Sequence, residues 1–229
     1  MADSLERVNR EVVRCQACPR LVAWREQVAR ERRAAYADEI YWGRPVPGFG
    51  DPSAHVLVVG LAPAAHGGNR TGRIFTGDRS GDFLFASLHR CGFANQPRSN
   101  DRDDGLRLDD MYIAAAVRCA PPENKPTPQE RDTCRPYLVR ELHKLSDVRV
   151  IVALGAFAYD ALWATLRDAG VEVPRRRARF AHLVEQPAGP YTLLGSFHPS
   201  QQNTFTGRLT PEMLDAVFQR ARRIVSATK

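Results

Sequence analysis

This 229-residue sequence lacks the features of several common protein classes. No apolar run approaches the roughly 18 residues of a membrane-spanning helix. The first ten residues, MADSLERVNR, carry no apolar signal core. No repeat period or low-complexity segment is visible. We therefore expect a soluble cytoplasmic protein, folded as one domain over residues 1–229.

Two further absences limit the chemistry. The phosphate-binding pattern GxxxxGK[ST] is missing, which weakens the hypothesis of a nucleotide-binding transferase. The five cysteines are an odd number, so a complete disulfide framework is not expected.

Basic residues outnumber acidic ones, 33 to 26, giving a net charge of +7. Excess positive charge is typical of proteins that bind DNA or RNA, although it can also serve solubility alone. The densest basic cluster is Arg175–Arg177 with Arg179. The sequence therefore favours a polyanionic partner.

The stretch Val56–Gly81 organises the chain. Its first four residues are apolar, which predicts a strand buried on both faces of a parallel sheet. Six glycines, from Gly60 to Gly81, punctuate the loop that follows, among polar and aromatic residues. Glycine lets backbone approach a ligand closely, so this loop indicates a site, although a long surface turn is the alternative.

The remaining chain predicts an α/β fold. Three more buried strands are expected at 111–117, 148–154 and 191–197, separated mostly by helices. Such alternation predicts a three-layer α/β/α fold with a four-stranded parallel sheet. Ligands of such sheets bind beyond the carboxyl ends of the strands. We therefore expect Phe75, Asp78, Asn124 and His198, from three strand-following loops, to converge on one edge.

Four of the cysteines have the spacing of a metal site: Cys15 and Cys18 form a CxxC pair, and Cys119 and Cys134 follow later. Four thiolates suit either structural zinc or an iron–sulfur cluster, and spacing alone does not choose between them. Cys91 is interpreted as a packed thiol.

Together, these motifs resemble the uracil-DNA glycosylase superfamily. The resemblance rests on Gly60-Leu-Ala-Pro-Ala64, Phe75-Thr-Gly-Asp78, Asn124, His198-Pro-Ser and the four cysteines, in that pattern along nearly the whole chain. The pattern is most similar to family 5, the B type. That resemblance implies a monomer that carries a [4Fe–4S] cluster and excises uracil, with other deaminated bases such as hypoxanthine, from single- or double-stranded DNA near the nucleoid.

The resemblance also implies roles for individual residues. Phe75 stacks on a base extruded from DNA, Asn124 pairs with its edge, and His198 donates to the departing base. Backbone of the loop containing Gly60, Ala62 and Ala64 contributes to the base pocket.

By this resemblance, Ala62 stands where classical uracil glycosylases carry an acidic residue, and the position is apolar, as in family 5. Asp78 is the nearest motif-borne carboxylate and is predicted to replace it, although a plain helix cap is the alternative. A non-enzymatic iron–sulfur DNA-binding redox sensor would also explain the cysteines and the charge. It would not explain polar groups on three loops.

Overall fold

A computed structural model describes residues 3–227 and contains a central six-stranded sheet, in the order β1-β3-β2-β4-β6-β5. The four inner strands are parallel, and the two edge strands run antiparallel to their neighbours. The strands are β1 (Phe49–Gly50), β2 (Val56–Gly60), β3 (Met111–Ala115), β4 (Val150–Leu154), β5 (Glu185–Ala188) and β6 (Tyr191–Ser196).

Helices cover both faces of the sheet. They are α1 (Leu5–Arg14), α2 (Pro19–Glu31), α3 (Gly68–Thr71), α4 (Arg79–Arg90), α5 (Pro128–Lys144), α6 (Ala156–Asp168), α7 (Gln201–Phe205) and α8 (Pro211–Ala227). Helices α4 and α8 pack together, and α5 packs against α1 and α6.

Alternate side chains of β2 enter two separate cores. Val58 lies in a core with Leu84 of α4 and Phe218 of α8. Val59 points the other way, into a core with Leu138 of α5 and Leu162 of α6. Because successive strand residues face opposite sides, a strand covered on both faces must be apolar throughout. The predicted α/β/α layering is therefore confirmed.

The predicted sheet of four strands was wrong in number. The two additional strands lie at the edges: β1 spans only two residues of a Pro/Gly-rich segment, and β5 contains Pro187. Because proline has no backbone N–H to donate to a neighbouring strand, the sequence of β5 is typical of a loop. The strand predicted at 111–117 also extended too far, since β3 ends at Ala115.

A capping box marks the start of α5. Thr127 accepts a hydrogen bond from the Glu130 amide, and the Glu130 side chain accepts one from the Thr127 amide. Pro128 occupies the first turn, where it removes no helical hydrogen bond. This capping box fixes where the loop after β3 turns into the helix.

Across residues 3–227, every helix is too short or too polar to cross a membrane. The single domain predicted for residues 1–229 stays a prediction, because both ends of that range lie outside the described residues.

Candidate active site

The loop after β2 holds Phe75 in a conformation that depends on two glycines. Phe75 has a φ of 53°, in the left-handed region, and only 6% of its surface is exposed. A Cβ on Gly60 would lie 2.7 Å from the Phe75 ring, and one on Gly81 would lie 1.9 Å from its carbonyl oxygen. Both positions therefore require glycine for the ring to lie across the end of β2.

His198 meets Phe75 from the loop after β6. Their ring centroids are 5.9 Å apart, with an angle of 37° between the planes. Asn203 donates to the His198 carbonyl at 2.8 Å, and Gly155 leaves room for the His198 Cβ. Burial lowers the pKa of His198 to about 4, because the imidazolium would lose its hydration. The imidazole is therefore neutral at pH 7.

Asp78 caps α4 and lies in a narrow space. Its Oδ1 accepts a hydrogen bond from the Gly81 amide at 2.9 Å, so the predicted capping alternative is observed. A Cβ on Gly67 would lie 2.1 Å from its Oδ2. Burial raises the pKa of Asp78, and the amides of Gly81 and Ser80 act in the opposite direction. The cap leaves the carboxylate on the wall of a cavity of about 990 Å³.

Two buried arginines that the sequence analysis missed hold this loop. Arg70 donates to the carbonyls of His66 and Gly77, at 2.8 and 2.9 Å. Arg73 donates to both Asp104 oxygens, at 2.7 and 2.8 Å, which ties the loop to the polar segment before β3. The only sequence feature that could have indicated this role is their position inside a Gly-rich loop, where an arginine side chain can donate to backbone carbonyls.

The other predicted pocket residues have different surroundings. Asn124 is exposed, with a φ of 57°, in a 3₁₀ turn at Pro122–Asn124. Among residues 3–227, no hydrogen bond or ring contact joins Asn124 to Phe75, Asp78 or His198. The Ala64 carbonyl accepts from the amides of Gly67 and Asn69.

Ala62 packs toward the cysteines, against a small apolar cluster that includes Leu21 and Cys119. The structure thus brings Phe75 and His198 into contact. Asp78 lies on the wall of a neighbouring cavity that neither of these two rings lines. The contacts of Asn124 remain a prediction.

Four cysteines line one small pocket, namely Cys15, Cys18, Cys119 and Cys134. Cys91 lies apart from them, half-buried beside Asp215, which agrees with a packed thiol. Within residues 3–227, no three His, Cys, Asp or Glu side chains are close enough to hold a single metal ion. In a [4Fe–4S] cluster each cysteine binds its own iron, so its ligands need not converge on one point.

The donors around the pocket fit a negatively charged group. The Arg25 guanidinium donates to Cys119 Sγ at 3.0 Å, and the Arg118 amide donates to Cys134 Sγ at 3.3 Å. Arg25 Nε is buried and has no hydrogen-bond partner among the described residues. Hydrogen bonds to sulfur and a buried cation both stabilise thiolates, so these residues suit a cluster of iron and sulfide.

Comparison with known proteins defines the class. Residues 47–222 match the family model described as the uracil DNA glycosylase superfamily. The chain belongs to that superfamily.

Within it, three similar proteins are type-5 uracil-DNA glycosylases. The protein of Mycobacterium leprae is 54% identical, over 97% of this chain and 96% of its own. That of Mycobacterium tuberculosis is 53% identical, over 97% of this chain and 82% of its own. That of Thermus thermophilus is 52% identical, over 92% of this chain and 93% of its own.

Proposed function

We propose that this protein excises uracil, together with other deaminated bases such as hypoxanthine, from single- or double-stranded DNA. As a uracil-DNA glycosylase it is a hydrolase of N-glycosidic bonds in DNA repair. Water replaces the base on the sugar, and an abasic site remains. A non-enzymatic redox sensor is not favoured, because the similar proteins are named as glycosylases.

The observation that carries the site assignment is the contact between Phe75 and His198. An enzyme that acts on a base within DNA must first rotate that base out of the stack. The Phe75 ring offers a flat, rigid surface on which such a base stacks. Asn124 pairs with the edge of the base through its amide, which both donates and accepts hydrogen bonds.

His198, with a neutral imidazole, stabilises the departing base. As the glycosidic bond breaks, its electron pair remains on the base and negative charge develops there. A neutral imidazole can donate one N–H to that charge. Backbone amides of the loop with Gly60, Ala62 and Ala64 act on the same charge. Such donors stabilise a transition state because they are fixed in advance.

Asp78 acts on the sugar and the water. Its carboxylate faces the cavity, where it stabilises positive charge on the sugar and orients the attacking water. The cap does not exclude this role, since the Gly81 amide binds Oδ1 rather than Oδ2. Ala62 supplies no carboxylate, so Asp78 is the replacement.

The four pocket cysteines would hold a [4Fe–4S] cluster. Bound there, it would supply four iron–sulfur bonds that fasten the turn between α1 and α2 to the β3–α5 connection and to α5. Because a metal site formed with the fold contributes folding free energy, its role is structural. The protein acts as a monomer in the cytoplasm, at the nucleoid.

An oligonucleotide assay tests the function directly. Incubation with a strand containing one uracil, followed by alkali, should cleave that strand at the uracil, because alkali breaks DNA at abasic sites. The same strand with thymine at that position is the control. Intact uracil strand under conditions where the protein is folded and contains iron would contradict the proposal.

A further inference from the structure

Arg25 of α2 is a buried cation with little compensation from the protein. Only 3% of its surface is exposed. Its Nη1 donates to Cys119 Sγ at 3.0 Å and to the Cys15 carbonyl at 3.2 Å, while Nε has no hydrogen-bond partner within residues 3–227. A neutral thiol is a weak acceptor. The guanidinium therefore lies against the sulfur of one pocket cysteine, and the described part of the chain places no buried carboxylate against it.

The nearby carboxylates do not supply that anion. Glu26 Oε1 is 3.8 Å from Arg25 Nη2, beyond hydrogen-bonding distance, and its side chain is 44% exposed, so water screens it. Arg118, the other arginine of the pocket wall, differs because it is paired with the fully buried Glu141. A buried charge without a partner is strongly unfavourable. The position of Arg25 thus favours an anion inside the cysteine pocket.

We infer that Arg25 is the charge partner of the cluster held by the four cysteines and that it raises the reduction potential of that cluster. The inference rests on the cluster proposed above. Four thiolates around a [4Fe–4S]²⁺ core carry a net charge of −2, and one electron from a reductant makes it −3. A fixed cation stabilises the −3 state more than the −2 state. Charge and hydrogen bonds to sulfur both set the potential of such clusters.

Variants at this position separate charge from packing. Arg25→Gln removes the charge and keeps a side-chain N–H, whereas Arg25→Lys keeps the charge. Arg30→Met is the matched control, because it removes one positive charge from an exposed position on the same helix. The measurement is a reductive titration with dithionite and mediator dyes, followed by the paramagnetic resonance signal of the reduced cluster.

Arg25→Gln should shift the one-electron reduction equilibrium at least tenfold toward the oxidised form, a potential about 59 mV more negative. Arg25→Lys should shift it less, and Arg30→Met should not change it. If Arg25→Gln binds no iron while Arg25→Lys binds the wild-type amount, the charge requirement is supported.

Equal potentials in all variants would overturn the inference. So would loss of iron from Arg25→Lys, since that would mark a packing role, or absence of iron from the unaltered protein. If the unaltered protein contains no iron but still cleaves uracil-containing DNA, the proposed glycosylase function is supported and only the proposed cluster is refuted.

Discussion

Replacement of Asp78 by two different residues separates its two roles. Asp78 Oδ1 caps α4 through the Gly81 amide, while the carboxylate also faces the cavity. Asparagine can keep the cap but not the charge, and alanine removes both. The pair of variants therefore assigns any loss to the helix or to the chemistry.

The expected sizes differ enough to be measured. Loss of an N-cap costs about 1 kcal/mol, which in a protein of this size lowers the melting temperature by about 2–4 °C. Loss of a general base slows a reaction by about 10²–10⁴-fold. Uracil leaves as a fairly stable anion, so its bond can break before water is strongly engaged. Hypoxanthine departure should depend more on the carboxylate.

We expect Asp78→Asn to melt within about 1 °C of the wild type, consistent with the similar capping strength of Asn and Asp. It should remove hypoxanthine at least about 10²-fold more slowly than the wild type does. Uracil removal should slow less. Asp78→Ala should show the same rates and the lower melting temperature. Single-turnover cleavage of both substrates, beside melting curves, provides the measurements. If Asp78→Asn removes both bases at wild-type rates, Asp78 is a cap alone.

Three further outcomes are expected. His198→Ala should slow single-turnover uracil cleavage about 10²–10³-fold with abasic-site binding retained, and equal losses in both would indicate a structural role. Between pH 6.5 and about 4 the unfolded chain binds a proton at His198 that the folded protein excludes. The melting temperature should therefore decrease as the pH is lowered across that window, and it should decrease less in His198→Gln. Parallel plots of melting temperature against pH for the two proteins would contradict the buried neutral imidazole. Charge reversal at Arg175–Arg177 should weaken DNA binding and its salt dependence without changing base preference, whereas an unchanged salt slope would mean that these arginines do not contact phosphate.

The sequence predicted the inner sheet because its signal is simple. Strands covered on both faces must be apolar, and Val56–Val59 shows that plainly. The edge strands carry no such signal, since β5 alternates exposed residues and includes Pro187. Their strand character comes from pairing with β6 and β3, which only the folded chain provides.

The site was predictable where chemistry depends on residue type. The contact between Phe75 and His198 follows from the order of parallel strands, whose carboxyl ends meet at one edge. The side chains that hold the loop after β2 could not be predicted in this way. Arg73 pairs with Asp104, thirty-one residues away, and charged residues so far apart give no spacing signal. Arg25 likewise resembles any other basic residue of its helix until burial distinguishes it.

The left-handed backbone of Phe75 has a consequence for how the protein receives a base. A non-glycine residue in this region stores about 1–3 kcal/mol of strain, which the surrounding packing must hold. The chain meets this strain energy when it folds. Binding to DNA therefore does not have to supply it. The stacking surface is preorganised, and an extruded base meets a ring that needs no ordering of its own. The binding free energy of the base remains available for distorting the DNA.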